Sequence, residues 1–259
     1  MIQFNFNRFV KLARWSLTND KRYYVKSFLQ MLVIMLFGFL FFPMMNSNHA
    51  SGYTMSCIMV VAAFMVTIVL GSSYMFYSME GKHDMQNLLM VPASNFEKYL
   101  MRYATWILLI PLYLVAFFAA DLLQYVIHWM LGHDYATLVM TKLADMFSDG
   151  WNNAPAEAKR ILINSLLVVA IWFHSIYALG ATFFRSRKYN WVMTTIVIIL
   201  LTIMQGWILP FDDPTLYKET TTMDIIIADV VTGLWVMLNF WLSYKLFCRT
   251  QVIGKFVNL

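Results

Sequence analysis

The chain has 259 residues, of which 60% are hydrophobic and only 13% charged, with a formal charge of +5. A soluble domain carries about 25% charged residues, so this composition excludes an ordinary soluble fold. The apolar residues come in long runs rather than stripes, which reads as membrane-spanning. The positive balance does not point to nucleic acid, because the basic residues sort by membrane side.

The first segment, residues 4–18, is too polar to span. Phe6, Phe9, Val10, Ala13 and Leu17 share one helical face at spacings of three and four, with Arg8, Lys11 and Arg14 on the other side. This pattern predicts a basic amphipathic helix lying in the membrane interface. The first apolar run starts near Phe28, behind Lys21, Arg22 and Lys26 and without a small-residue cleavage site, so no cleavable signal peptide is expected. That run predicts a span over about 27–43, ended by Pro43. A second span is predicted over about 53–77, with Gly71-Ser72-Ser73 permitting close helix contact.

Between the second and third spans lies a polar stretch, residues 79–102. It holds Pro92-Ala93-Ser94-Asn95-Phe96-Glu97, and Ser94 and Glu97 have the S-x-x-E spacing of a capping box. A helix is therefore predicted to start at Ser94 and run into the third span. Leu88-Leu89-Met90-Val91 is an apolar patch too short to cross a bilayer. An apolar patch beside a capped helix suggests a docking surface; packing on headgroups or on the chain's own spans is the equal alternative.

The third span is predicted over about 103–130, bent at Pro111. A polar connection follows, with a short surface helix expected over 135–147 and a turn at Asp149-Gly150. Further spans are predicted over about 161–184, 191–209 and 225–247. Together these give an all-α integral membrane protein, a single transmembrane domain over 1–259 with six transmembrane helices and an N-terminal interfacial helix. Fifteen of the nineteen Lys and Arg residues fall on the side of the N-terminus, the 79–102 loop, the connection after the fourth span and the C-terminal end. Basic loops stay cytoplasmic, so both termini and the 79–102 loop are expected inside the cell.

The chain contains no P-loop, no H-E-x-x-H and no G-x-S-x-G motif, and Cys57 and Cys248 are too far apart in this topology to pair. No catalytic residue, metal site or cofactor is expected in it. Asp121, His174 and Asp229 lie within or near spans, where an ionisable residue is a functional candidate. The plainer reading places the two Asp residues near water at helix ends and His174 in a bond to a neighbouring helix.

The stretch Leu89-Met90-Val91-Pro92-Ala93-Ser94, followed by Glu97-Lys98 and Arg102, is similar to the L-x-x-P-A-S-x-x-E-K-x-x-x-R pattern of small bacterial ABC-2 type permeases. The basic N-terminal helix and the six-span layout resemble the same family. The resemblance implies a permease subunit in a bacterial cytoplasmic (inner) membrane that couples ATP hydrolysis on a separate ABC ATPase subunit to translocation, in the export direction. It implies a pair of permease copies, with ATP and Mg held by the partner. Residues Leu88, Leu89, Met90, Pro92, Ser94, Phe96, Glu97, Lys98 and Arg102 become the ATPase contact, and Asp121, His174 and Asp229 the candidate pathway. The alternatives are a non-transporting scaffold that docks a cytoplasmic partner through the same loop, and an intramembrane enzyme resting on those three residues.

Overall fold

The structure is a computed structural model and describes residues 4–77, 87–88, 90–153, 155–184, 189–208 and 222–249. Within them the chain is helical: α1 (Phe6–Asn19), α2 (Lys21–Met45), α3 (His49–Leu70), a 3-10 segment (Gly71–Phe76), α4 (Asn95–Met130), α5 (Val139–Asn153), α6 (Ala156–Phe183), α7 (Asn190–Ile208) and α8 (Thr222–Cys248). Five stretches among the described residues are long and apolar enough to cross a membrane. They are α2, α3 with its 3-10 continuation, α4, the Leu166–Phe183 part of α6 and the Ile225–Cys248 part of α8. The apolar part of α7, Asn190–Met204, is shorter. With no water in a bilayer core, a helix satisfies every backbone group internally, and long runs of Leu, Ile, Val, Phe and Met leave no competing structure. The chain is a multi-pass membrane protein.

Several element boundaries differ from the sequence expectation. α2 begins at Lys21 rather than near residue 27, directly behind the buried Asp20. It also passes through Pro43 instead of ending there. A proline removes one helical hydrogen bond, and two residues from a helix end that loss is slight. The Asn46 N–H and its side-chain amide both donate to the Phe42 carbonyl and close the last turn. α4 likewise continues through Pro111. α5 starts at Val139 rather than residue 135 and runs through Gly150, where a turn was expected, to Asn153. Its start is set by a side chain far away in sequence, described below. The Ser94 start, in contrast, coincides with that expected, with α4 opening at Asn95.

The described residues form two compact units. The first contains residues 1–12, 69–103 and 166–259. Its core joins Leu12, Met75, Phe76, Leu88, Ala93, Tyr99, Met101, Ala181 and Phe247. The second contains residues 13–68 and 104–165, with a core of Met35, Phe39, Tyr53, Cys57, Val60, Phe117, Ala120 and Val139. Cys57 and Cys248 are both free thiols.

At Gly52 the backbones of α2 and α3 come into close contact inside the second unit. A Cβ there would lie 2.5 Å from the Phe42 carbonyl oxygen and 2.6 Å from the Pro43 Cα, both backbone atoms that cannot rotate away. Gly52→Ala is therefore expected to force α2 and α3 apart and to cost about 1–3 kcal/mol, the usual range for overpacking. A lowered melting midpoint in detergent checks this, with Gly233→Ala, which meets nothing within 4 Å, as the control that shows only the gain in helix propensity of Ala over Gly.

Candidate functional site

Leu88, Ala93, Tyr99 and Met101 tie this part of the chain into the core of the first unit. The capping box forms as the spacing predicts: Ser94 Oγ accepts from the Glu97 N–H at 3.2 Å, and Glu97 Oε2 accepts from the Ser94 N–H at 2.8 Å. The Glu97 carboxylate does more than close this box. It accepts from Arg8 Nε at 2.8 Å and Arg8 Nη2 at 2.7 Å, and Oε1 also accepts from the Asn5 N–H at 2.7 Å. The Arg8 fork thus meets both carboxylate oxygens, the planar two-point geometry that makes Arg–carboxylate pairs strong.

α4 has 36 residues, about 54 Å at 1.5 Å per residue, against a hydrocarbon core of about 30 Å. Its polar first turns, with Glu97, therefore stand outside the membrane-spanning part. There the Arg8 guanidinium, with help from the Asn5 and Ser94 N–H groups, holds the Glu97 carboxyl down at about 2. Burial works against this shift and loses.

The nine residues of the expected ATPase contact are not placed alike. Leu88, Glu97, Lys98 and Arg102 are buried, and Arg102 is the largest of the fully buried side chains. Ser94 is half-buried and occupied in the capping box. Leu89 lies outside the described residues. Met90 is 82% exposed and Phe96 47%, with Pro92 also exposed. Phe96 is held edge-on by Phe4 and by Tyr244, each with ring centroids 5.9 Å away. The segment's exposed apolar side chains are thus Met90, Pro92 and Phe96, with Phe4 against Phe96. The charged residues of the motif build its foundation.

The three candidate pathway residues separate by unit. In the first, His174 is buried, its Nε2 lies 2.8 Å from the Tyr103 hydroxyl, and its carbonyl accepts from Ser72 Oγ at 2.7 Å. Asp229, on α8 of the same unit, is half-buried. In the second unit, Asp121 is buried and accepts from the Val139 N–H at 2.8 Å, the Met140 N–H at 3.0 Å and Gln124 Nε2 at 3.0 Å. Its carboxylate ties down the start of α5, whose first backbone N–H groups have no partner within their own helix.

Sequence reasoning missed the polar seam around His174. Ser243 Oγ donates to the Ala178 carbonyl at 2.9 Å and accepts from Tyr99 at 3.0 Å, and Asn239 Nδ2 donates to Ser175 Oγ at 3.0 Å. Asn190 Nδ2 donates to the Ser73 carbonyl at 2.8 Å. These are interhelical bonds by small polar residues, a usual bond between membrane helices. Scattered single Ser, Thr and Asn residues in apolar runs were the available signal. Among the described residues no cluster of His, Cys, Asp and Glu could hold a metal ion.

These features define a multi-pass membrane protein, all-helical among the described residues, in which the start of α4 is capped and clamped. No protein-family model matches the chain, and no curated protein or solved structure matches it either.

Proposed function

We propose that the chain is the membrane-spanning permease subunit of an ABC transporter, docking a separate ATPase subunit through the 88–102 segment. In this reading it has six spans, the fifth being α7, with both termini cytoplasmic in a bacterial inner membrane. Two permease copies join two ATPase copies, and nucleotide-driven closure of the ATPases moves the spans to export a substrate. The observation that supports it best is the exposed apolar set of Met90, Pro92 and Phe96 at a capped helix start that is fixed to its own unit by Arg8 and Glu97. A coupling element has to transmit force, so it needs a stiff base and an apolar tip for a partner's groove. Interface energy concentrates in such a few buried apolar anchors.

The test is copurification of the full chain from its native membrane, followed by identification of bound subunits. A P-loop ATPase is expected in the complex. Met90→Asp with Phe96→Asp is expected to weaken its retention at least about tenfold, because each anchor contributes about 2 kcal/mol or more, and to lower the melting midpoint less than Glu97→Ala does, since only the ring contacts of Phe96 are lost. A complex without an ATPase, or retention indifferent to both substitutions, overturns the reading. A different cytoplasmic protein retained through the same residues establishes a scaffold instead.

A further inference from the structure

The exposed face of α2 carries a second feature, independent of the 88–102 segment. Arg22, Lys26, Leu29, Val33 and Phe37 follow one another at spacings of four, three, four and four, which places them on one face of the helix. Arg22 and Lys26 are exposed, as is Lys21 beside them. Below them Leu29 is 52% exposed, Val33 61% and Phe37 66%. The other side of α2 is committed, with Met35 and Phe39 in the core of the second unit. None of the three cations has an ion-pair partner among the described residues. The nearest acid in sequence, Asp20, is buried and accepts from Ser16 Oγ at 3.0 Å.

Charge, length and depth agree on one occupant. From Lys26 to Phe37 is eleven residues, about 16 Å of helix. That is close to half of the roughly 30 Å hydrocarbon core, the reach of an acyl chain within one leaflet. We infer that this face of α2 seats an anionic phospholipid, its phosphate held by Lys21, Arg22 and Lys26 and one acyl chain lying along Leu29, Val33 and Phe37. Juxtamembrane Lys and Arg clusters attract anionic headgroups by about fivefold per charge. The continuous apolar track beneath them turns that attraction into a seat for a whole lipid rather than for a free phosphate ion. The inference does not rest on the permease reading.

The test uses the full chain in nanodiscs with chain-spin-labelled phosphatidylglycerol and, separately, spin-labelled phosphatidylcholine. The immobilised fraction of each label reads selectivity. The wild-type chain is expected to prefer phosphatidylglycerol severalfold. Arg22→Gln with Lys26→Gln is expected to lower that preference severalfold, down to parity. The charge-keeping pair Arg22→Lys and Lys26→Arg is expected to retain it and shows that the site tolerates change. Lys142→Gln, which removes an exposed charge elsewhere in the same unit, is expected to leave it intact. Preference that survives the double Gln variant, or that falls equally with Lys142→Gln, overturns the proposal. So does inorganic phosphate displacing the labelled lipid, or crosslinking of two copies through a cysteine at Val33, which would place a second chain on this face.

Discussion

Glu97→Ala is expected to destabilise the full chain by about 3 kcal/mol and to loosen the 88–102 segment from α1. The carboxylate is buried and accepts four hydrogen bonds at 2.7–2.8 Å, from Ser94, Asn5 and twice from Arg8. Losing a helix-start acceptor costs about 0.5–2 kcal/mol, and hydrogen bonds to charged groups contribute about 1.5–3 kcal/mol. The sum is discounted because the Arg8 side chain is 32% exposed and regains water once released. For a chain of this size, about 3 kcal/mol is a fall of roughly 6–12 °C in melting midpoint. The same pair gives a pH signature with a definite sign. The Glu97 carboxyl is depressed to about 2 in the folded chain, so its contribution is fully present above the ordinary glutamate value of about 4.3. It is lost as pH falls from there through about 2. The difference in midpoint between wild type and Glu97→Gln should therefore be constant above pH 5 and shrink steadily below pH 4. A difference unchanged at pH 3 would show that the carboxylate charge is not what holds the clamp.

The clamp also shows which parts of this chain can be read from its sequence. The capping box was legible because all of it lies within four residues, and the S-x-x-E spacing states its own hydrogen bonds. The second half of the site was not, since Arg8 and Asn5 reach Glu97 across about ninety residues. In sequence Arg8 is simply one cation on a basic helix. The long apolar runs told of membrane helices because length and composition alone decide that. Their ends were less legible: α2 passes Pro43 two residues from its end, where a proline costs little, and α5 runs through an exposed Gly150 with nothing packed within 4 Å of it. The motif's charged residues drew attention to Glu97, Lys98 and Arg102 as contacts, yet the fold buries all three and leaves Met90 and Phe96 outside. A charge in a polar loop reads as exposed until a core is known to lie beneath it.

Asp121→Ala is expected to release the start of α5, and the chain contains its own reporter for that release. Asp121 holds two backbone N–H groups, those of Val139 and Met140, and the amide of Gln124. Val139 and Gln124 are both fully buried, so water does not replace the carboxylate unless the segment opens. A buried donor left unsatisfied costs about 1–3 kcal/mol; the substitution orphans the buried Val139 N–H and removes one bond each from Met140 and from Gln124 Nε2, which keeps the Thr137 carbonyl, giving a local loss of about 3 kcal/mol. Near the same point, Cys57 is 1% exposed and its thiol lies 3.8 Å from the Val139 carbonyl oxygen. Once α5 lifts, that thiol meets solvent. With Cys248 changed to Ser, Cys57 is the sole cysteine, and its maleimide labelling rate reads the opening equilibrium. A loss of about 3 kcal/mol corresponds to labelling about a hundredfold faster, because 1.4 kcal/mol is tenfold. Asp121→Asn keeps one acceptor oxygen and should fall between the two. Faster hydrogen exchange over 137–145 should accompany the labelling in both variants. If Cys57 in Asp121→Ala stays as slow as in the parent while the protein remains folded, the carboxylate is not what secures α5.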